Sequence, residues 1–254
     1  MAAPSVSQSV VRLVKVLELF EREKRPLSSA DIGAGIAAPR SSTAALLRSM
    51  VDMAILGLDR ATSTYLPTAR FGRLAAWIND KAMVEPVVLD AVKRIVATTF
   101  ETVTLTVPMG LWADIILVER GTLPISFGVD PGQKVKLWGS AVGTAYFTTI
   151  PQPSIAALYE RGRQAPEPMR PQEPLAKVLR RVAQARCKGY ATAQGGFVSE
   201  ASAISVPLPS ELTMRRTILT VAGPNQRMRV KQDMIAKTLL SEVERLSSAR
   251  TLSA

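Results

Sequence analysis

Residues 28–53, SSADIGAGIAAPRSSTAALLRSMVDM, decide the fold of this chain. Ser28 and Ser29 each offer an oxygen that can cap a helix, and Gly33 or Gly35 offers its end. After a brief turn Pro39 stands where a first helical position would be, and residues 40–53 continue as a second helix. On that helix Thr43, Leu46, Leu47 and Met50 fall on one stripe suited to burial. Ser41, Ala44, Ala45 and Arg48 share the opposite face. Two helices joined by a tight turn, the second with a small polar face, form a helix-turn-helix pattern.

The flanks extend the pattern. Upstream, Val10, Leu13, Val14, Val16, Leu17 and Phe20 recur at helical spacing, Ser7 or Ser9 can cap them, and Pro26 ends the charged stretch that follows. Downstream, Ile55, Leu56 and Leu58, the polar run Asp59-Arg60-Ala61-Thr62-Ser63-Thr64, then Tyr65 and Leu66 read as a small hairpin. Residues 68–80, with Phe71, Leu74, Ala75 and Ile78, read as a connecting helix. Three helices closed by a hairpin is the order of a winged helix-turn-helix. There the second helix of the pair enters the major groove. This places Arg40, Ser41, Ser42, Ala44, Ala45 and Arg48 toward base edges. It places Ser28, Ser29 and the helix N-terminus toward phosphates, and Arg60 at the wing tip toward the backbone or an adjacent minor groove. Spacing alone fits a small solvated helical bundle equally well.

Composition sets the outer limits. The chain has 254 residues, of which 47% are hydrophobic and 21% charged, the balance of a globular protein and not of a disordered one. Apolar runs are interrupted by charges well short of the roughly 20 residues that span a bilayer. The first ten residues lack the basic-then-apolar order of a secretion signal, and a single cysteine, Cys187, permits no internal disulfide, so the expected place is the cytoplasm, at the nucleoid. With no histidine and one cysteine, no metal and no cofactor are expected, and histidine-based acid/base or triad catalysis is excluded. A net charge of +11 suits a polyanionic partner. Its position is less telling: residues 1–80 carry 10 Lys/Arg against 7 Asp/Glu, and residues 81–254 carry 22 against 14.

Beyond residue 83 the texture changes. Residues 85–98 read as an amphipathic helix; residues 102–107, 115–118 and 125–129 as strands; residues 139–147 as a small, buried helix. Residues 151–174 hold six prolines and read as a surface connection with one short helix near residues 155–161. Residues 175–188 read as a basic amphipathic helix, residues 203–208 and 217–221 as strands, and residues 231–246 as a closing helix. The mixture predicts an α+β domain with a mainly antiparallel sheet. Arg161-Gly162-Arg163 and Arg180-Arg181 read as solvated faces, and Trp77 and Trp112 as core or interface anchors.

Three stretches in the first part, Gln8-Ser9-Val10-Val11-Arg12, Ala38-Pro39-Arg40-Ser41-Ser42-Thr43 leading to Leu46-Leu47, and Tyr65-Leu66-Pro67-Thr68, resemble the DNA-binding domain of IclR-type transcription regulators. Glu101-Thr102-Val103-Thr104-Leu105, Leu137-Trp138-Gly139-Ser140-Ala141-Val142-Gly143, Lys188-Gly189-Tyr190-Ala191 and Val221-Ala222-Gly223-Pro224 continue the likeness in order along the chain. The resemblance implies a winged helix-turn-helix over residues 1–67, a linker helix over 68–82, and a GAF-like effector-binding and oligomerisation domain over 83–254. It implies a homodimer, or a tetramer built from dimers, on a roughly palindromic double-stranded operator. It also implies a small organic metabolite held between the sheet and the small-residue helix.

Carried over position by position, that effector pocket comprises Ala141, Val142, Ala193, Ala201, Ala203, Thr220 and Ala222. Several of these are alanine where relatives carry an acid, cysteine or serine. Trp138 replaces a common histidine, and Glu200 a usual glycine. Alanines remove hydrogen-bonding options and enlarge an apolar space, which favours an aromatic or hydrophobic ligand. Main-chain amides of residues 139–143 remain able to hold a carboxylate. The alternative is a C-terminal domain that only oligomerises and binds no effector.

Overall fold

The structure, a computed structural model, describes residues 7–79, 84–196, 199–213 and 215–251. The expected linker's last residues, 80–82, and the first of the expected third segment, 83, lie outside these, as do the side chains of Ala75, Trp77 and Ile78. The chain divides into two compact units, Met1–Ala82 and Met83–Ala254.

The first unit runs α1 (Gln8–Glu23), β1 (Leu27–Ser28), α2 (Ser29–Gly35), α3 (Arg40–Asp52), β2 (Leu56–Asp59), β3 (Thr64–Pro67) and α4 (Ala69–Asn79). Val16, Leu19, Phe20, Leu27, Ile32, Ile36, Leu47, Met50 and Leu56 form its core. The apolar stripe expected on α1 is shifted: Val10 and Val14 are 56% and 45% exposed, because they lie at the edge of the helix face that Leu13, Val16, Leu19 and Phe20 turn to the core. Ser7 occupies the N-cap without a side-chain bond. Ser28 caps α2 in a reciprocal box, its Oγ accepting from the Asp31 N–H at 3.2 Å while Asp31 accepts the Ser28 N–H at 3.0 Å. Pro39 is the N-cap of α3, not its first residue, with ψ 148°. Its carbonyl accepts both the Thr43 N–H (2.9 Å) and the Thr43 hydroxyl (3.0 Å), which lets threonine sit in the core. The hairpin gains a third antiparallel strand, β1, in the order β1-β3-β2. Two residues are too few for any alternation to announce it.

The second unit runs α5 (Pro86–Thr99), β4 (Thr102–Met109), β5 (Trp112–Glu119), β6 (Lys134–Lys136), α6 (Ala141–Thr148), α7 (Gln152–Arg163), α8 (Leu175–Lys188), β7 (Ala191–Gln194), β8 (Ala201–Pro207), β9 (Ile218–Pro224), α9 (Asn225–Val230) and α10 (Gln232–Thr251). Its six strands form one antiparallel sheet, β6-β5-β4-β9-β8-β7, with a register shift between Leu105 and Thr106. Val103, Leu105, Ile204, Val206, Leu219 and Val221 pack one face against α5 and α10. The other face meets α6, whose residues are buried almost all round, backed by α8.

Four sequence expectations change here. Residues 125–129 form no strand: Ile125 is 71% exposed, Pro124, Gly128 and Pro131 break the run, and the sixth strand is Lys134–Lys136. The proline-rich connection holds a 12-residue helix, because Pro153 sits in its first turn where no N–H is needed. Strand β7 was not anticipated. The closing helix stands as α10, but a short helix not read from the sequence, α9, precedes it.

Glu101, at the start of β4, is fully buried. It receives Arg227 Nε and Nη2 at 2.8 and 2.7 Å and Lys231 Nζ at 3.4 Å, which ties α9 and α10 to the sheet. Gly223 makes room for it, since a Cβ there would fall 2.4 Å from Glu101 Oε2. The carboxylate hydrogen bond raises the Arg227 pKa above its ordinary value, so this cation stays charged throughout the physiological range.

Candidate DNA interface and interior cavity

Helix α3 buries Thr43, Leu47 and Met50 and turns the other side to solvent. Arg40, Ser41, Ala45 and Arg48 are exposed, and Ser42 and Ala44 are half-buried. Three other cations of this unit have partners within the fold. Arg22 and Arg25 contact Glu23, Arg25 also reaches Asp31, and Arg70 donates to the Met53 carbonyl at 3.2 Å. Among the described residues no ion pair or hydrogen bond holds the side chains of Arg40 or Arg48. Two long cations thus project from a face whose other members as far as Ser49 are small, with the exposed Asp52 at its far end, and they give up no bond in meeting a polyanion.

Ser28 and Ser29 fare differently from each other. The Ser28 hydroxyl is spent on the capping box, donating to Asp31 Oδ2 at 2.9 Å, so the N-terminus of α2 already faces a carboxylate. That carboxyl is held below its ordinary pKa, first by the Ser28 N–H and then by its hydroxyl. Ser29 is exposed in the first turn of α2. Arg60 is exposed at the wing tip. The turn beneath it is pinned by Asp59, which accepts the Ala61 N–H at 2.8 Å and the Thr62 hydroxyl at 2.9 Å and is held ionised by both.

In the second unit, a cavity of about 50 Å³ lies between the first turn of α6 and the sheet. Ala141, Val142, Ala193, Ala201, Ala203, Thr220 and Ala222 all line it. The sequence missed its remaining wall. Thr104, Ile115 and Val135 lie on strands β4 to β6, and period-two alternation from a known cavity strand would have exposed them. Phe127 and Val129 come from the irregular segment 121–133, which no periodicity marks. Ser140 caps α6, its Oγ accepting the Gly143 N–H at 2.9 Å and donating to the Leu137 carbonyl at 3.2 Å. Thr220 is bonded to Ser205 at 2.8 Å. The walls therefore carry few polar groups free for a ligand. Between α6 and the sheet the alanines have not opened a large space, because the two close onto them; Ala193, Ser202 and Ala203 also border a larger, open recess of about 720 Å³.

Other sequence features settle into structural roles. Arg161 and Arg163 are exposed, but Gly162 between them is buried, where a Cβ would meet Trp138 Nε1 at 2.8 Å. Arg181 is not a solvated cation, since it pairs with Glu173. Trp112 carries Lys134 over its ring at 4.6 Å. Cys187 is exposed. Among the described residues no cluster of three or more metal-ligating side chains occurs, and no helix is long and apolar enough to cross a membrane.

Comparison with known proteins agrees with this layout. The sequence model of the IclR helix-turn-helix domain matches residues 9–61. No curated protein sequence matches the chain. An IclR-family transcriptional regulator from Brucella abortus superposes with a TM-score of 0.68 at 19% identity, covering 96% of this chain and 93% of that one. The Thermotoga maritima IclR does so with a TM-score of 0.70 at 15% identity, covering 95% and 98%. An IclR homologue from Microbacterium hydrocarbonoxydans, solved with 4-hydroxybenzoate, gives 0.64 at 19% identity over 94% and 100%. These likenesses establish the fold from end to end, and the helix-turn-helix match gives the first unit its kind. The first unit carries an IclR helix-turn-helix domain over residues 9–61, and the chain has the fold of IclR-family transcription regulators.

Proposed function

We propose that the chain is an IclR-type transcription regulator and not an enzyme, that it binds a roughly palindromic operator as a dimer or tetramer, in the cytoplasm at the nucleoid, and that a small aromatic or hydrophobic metabolite in the α6 cavity modulates its operator affinity. The observation that carries the DNA half is the solvent face of α3, where Arg40 and Arg48 are unpaired among small residues. Arg40, Ser41, Ser42, Ala44, Ala45 and Arg48 approach base edges, while Ser29 and Arg60 approach phosphates. Ser28 acts at one remove, by fixing the start of α2. Duplication fits the physics, since one small module makes few base contacts and a second copy multiplies the specific part of the affinity. On this reading residues 1–67 read DNA, 68–82 link, and 83–254 sense and assemble.

The sensor half rests on the seven residues that meet around one apolar cavity. A cavity that holds benzene measures about 150 Å³, so the walls here must yield before a ring can enter the 50 Å³ space. That small volume also favours the second reading, a C-terminal unit that only assembles. A panel of monoaromatic acids and neutral aromatics, with 4-hydroxybenzoate as the first probe, separates the two. A binder raises the melting temperature by mass action on the folded state and changes operator affinity. Ala203→Leu fills the cavity, and it is expected to abolish that response while leaving operator binding within about threefold, a shift under about 1 kcal/mol. No shift from any compound supports assembly alone.

A further inference from the structure

The small residues of α3 say something about the DNA it reads. Ser41 and Arg48 are seven residues apart, so at about 100° per residue they lie within about 20° of one another around the helix. Ala44 and Ala45 fall on either side of the line joining them, one turn from each. Arg40 stands at the start of the helix, about 12 Å from Arg48 along its axis. Along this face the remaining polar side chain of the middle turns, Ser49, is turned back on the helix, its hydroxyl donating to the Ala45 carbonyl at 3.2 Å. Ahead of the exposed Asp52, one turn beyond Arg48, the groove-facing surface therefore offers two bidentate donors, one short hydroxyl beside the first, and two methyl groups between them.

Each of these groups has a limited vocabulary. An arginine pairs best with the O6 and N7 acceptors of guanine, whereas an alanine methyl can favour only the C5-methyl of thymine. A short side chain also lets the helix backbone lie close to the groove floor, which brings both arginines within reach of bases. Base pairs rise by about 3.4 Å, so a 12 Å separation along the helix spans at most about four base pairs.

We propose that the operator half-site holds two guanines within four base pairs, on either strand, with thymine between them. Arg40 takes one guanine, Arg48 the other, and Ala44 and Ala45 seat against thymine methyls. This rests on the reading of α3 as the recognition helix, and the test separates the two.

Duplexes selected from a random library by the full chain at fixed salt give the preferred site. The expected result is the guanine–thymine–guanine pattern. Arg48→Ala then loses the preference at one guanine and keeps the other, and Arg40→Ala does the converse, each with about ten- to hundredfold weaker binding to the selected site. Arg48→Gln moves the preference at its position from guanine toward adenine, a change that a phosphate contact would not produce. Deoxyuridine in place of the central thymines, which removes only the methyl, weakens binding several-fold. The proposal is overturned if a site is selected but its base preferences survive both arginine substitutions, or if deoxyuridine has no effect. If no sequence is enriched and neither arginine alters binding, the recognition-helix reading itself falls.

Discussion

Gly143→Ala is expected to destabilise the C-terminal unit by about 4 kcal/mol or more, enough to remove much of a domain's usual stability. Gly143 lies in the first turn of α6, where the chain folds back over the helix. A Cβ there would fall 1.8 Å from the Leu137 carbonyl oxygen and 2.5 Å from its carbon. Neither is the tip of a flexible side chain, and both belong to the backbone that Ser140 clasps through its bonds to Leu137 and Gly143. The clash can be relieved only by moving α6 off the sheet, which opens the core that Val142, Ala145 and Phe147 fill. Denaturant unfolding, with hydrogen exchange followed over residues 137–148, measures this. A variant within 1 kcal/mol of the parent would show that the close approach is not what seats α6.

Glu101→Gln is expected to cost about 3 kcal/mol, although it changes almost no volume. The carboxylate is fully buried and accepts from two cations. A glutamine would turn an amide donor toward the donors of Arg227 or Lys231 and leave their charges without a counterion. Arg227 also donates to the Ile125 carbonyl at 2.7 Å, so the segment that supplies Phe127 and Val129 to the cavity is anchored by the same side chain. The expected signature is therefore a lower unfolding free energy together with faster amide exchange in residues 121–130. The cost is tempered because the side chains of Arg227 and Lys231 keep 28% and 26% of their exposure, and water can solvate part of the orphaned charge.

The helices of the first unit were legible because caps and breakers mark them: Ser28, Gly35 and Pro39 all sit at element ends. The threonine–valine alternation of β4 was legible as well, since Thr104 faces the cavity while Val103 and Leu105 enter the opposite core. What escaped depends on tertiary partners. Strand β1 exists only because Leu27 and Ser28 pair with Tyr65 and Thr64. Residues 125–129 carry strand-forming side chains, yet their backbone is held by other means, as where Thr102 donates to the Phe127 carbonyl at 2.9 Å. The apolar character of the cavity followed from its alanines, but its volume did not, because volume depends on how closely α6 approaches the sheet. Ser28 and Ser29 looked alike in sequence, and only the Asp31 capping box separates them.

The proposed function requires α3 to be the element that reads DNA. Its most direct test is the affinity of the full chain for its selected operator across several salt concentrations, for the parent and for the Arg40→Ala, Arg48→Ala double variant. Neither side chain supports the fold, so the variant is expected to melt like the parent. It should bind the operator at least about a hundredfold more weakly, with non-specific binding reduced far less. Unchanged operator affinity in a folded double variant would contradict the account.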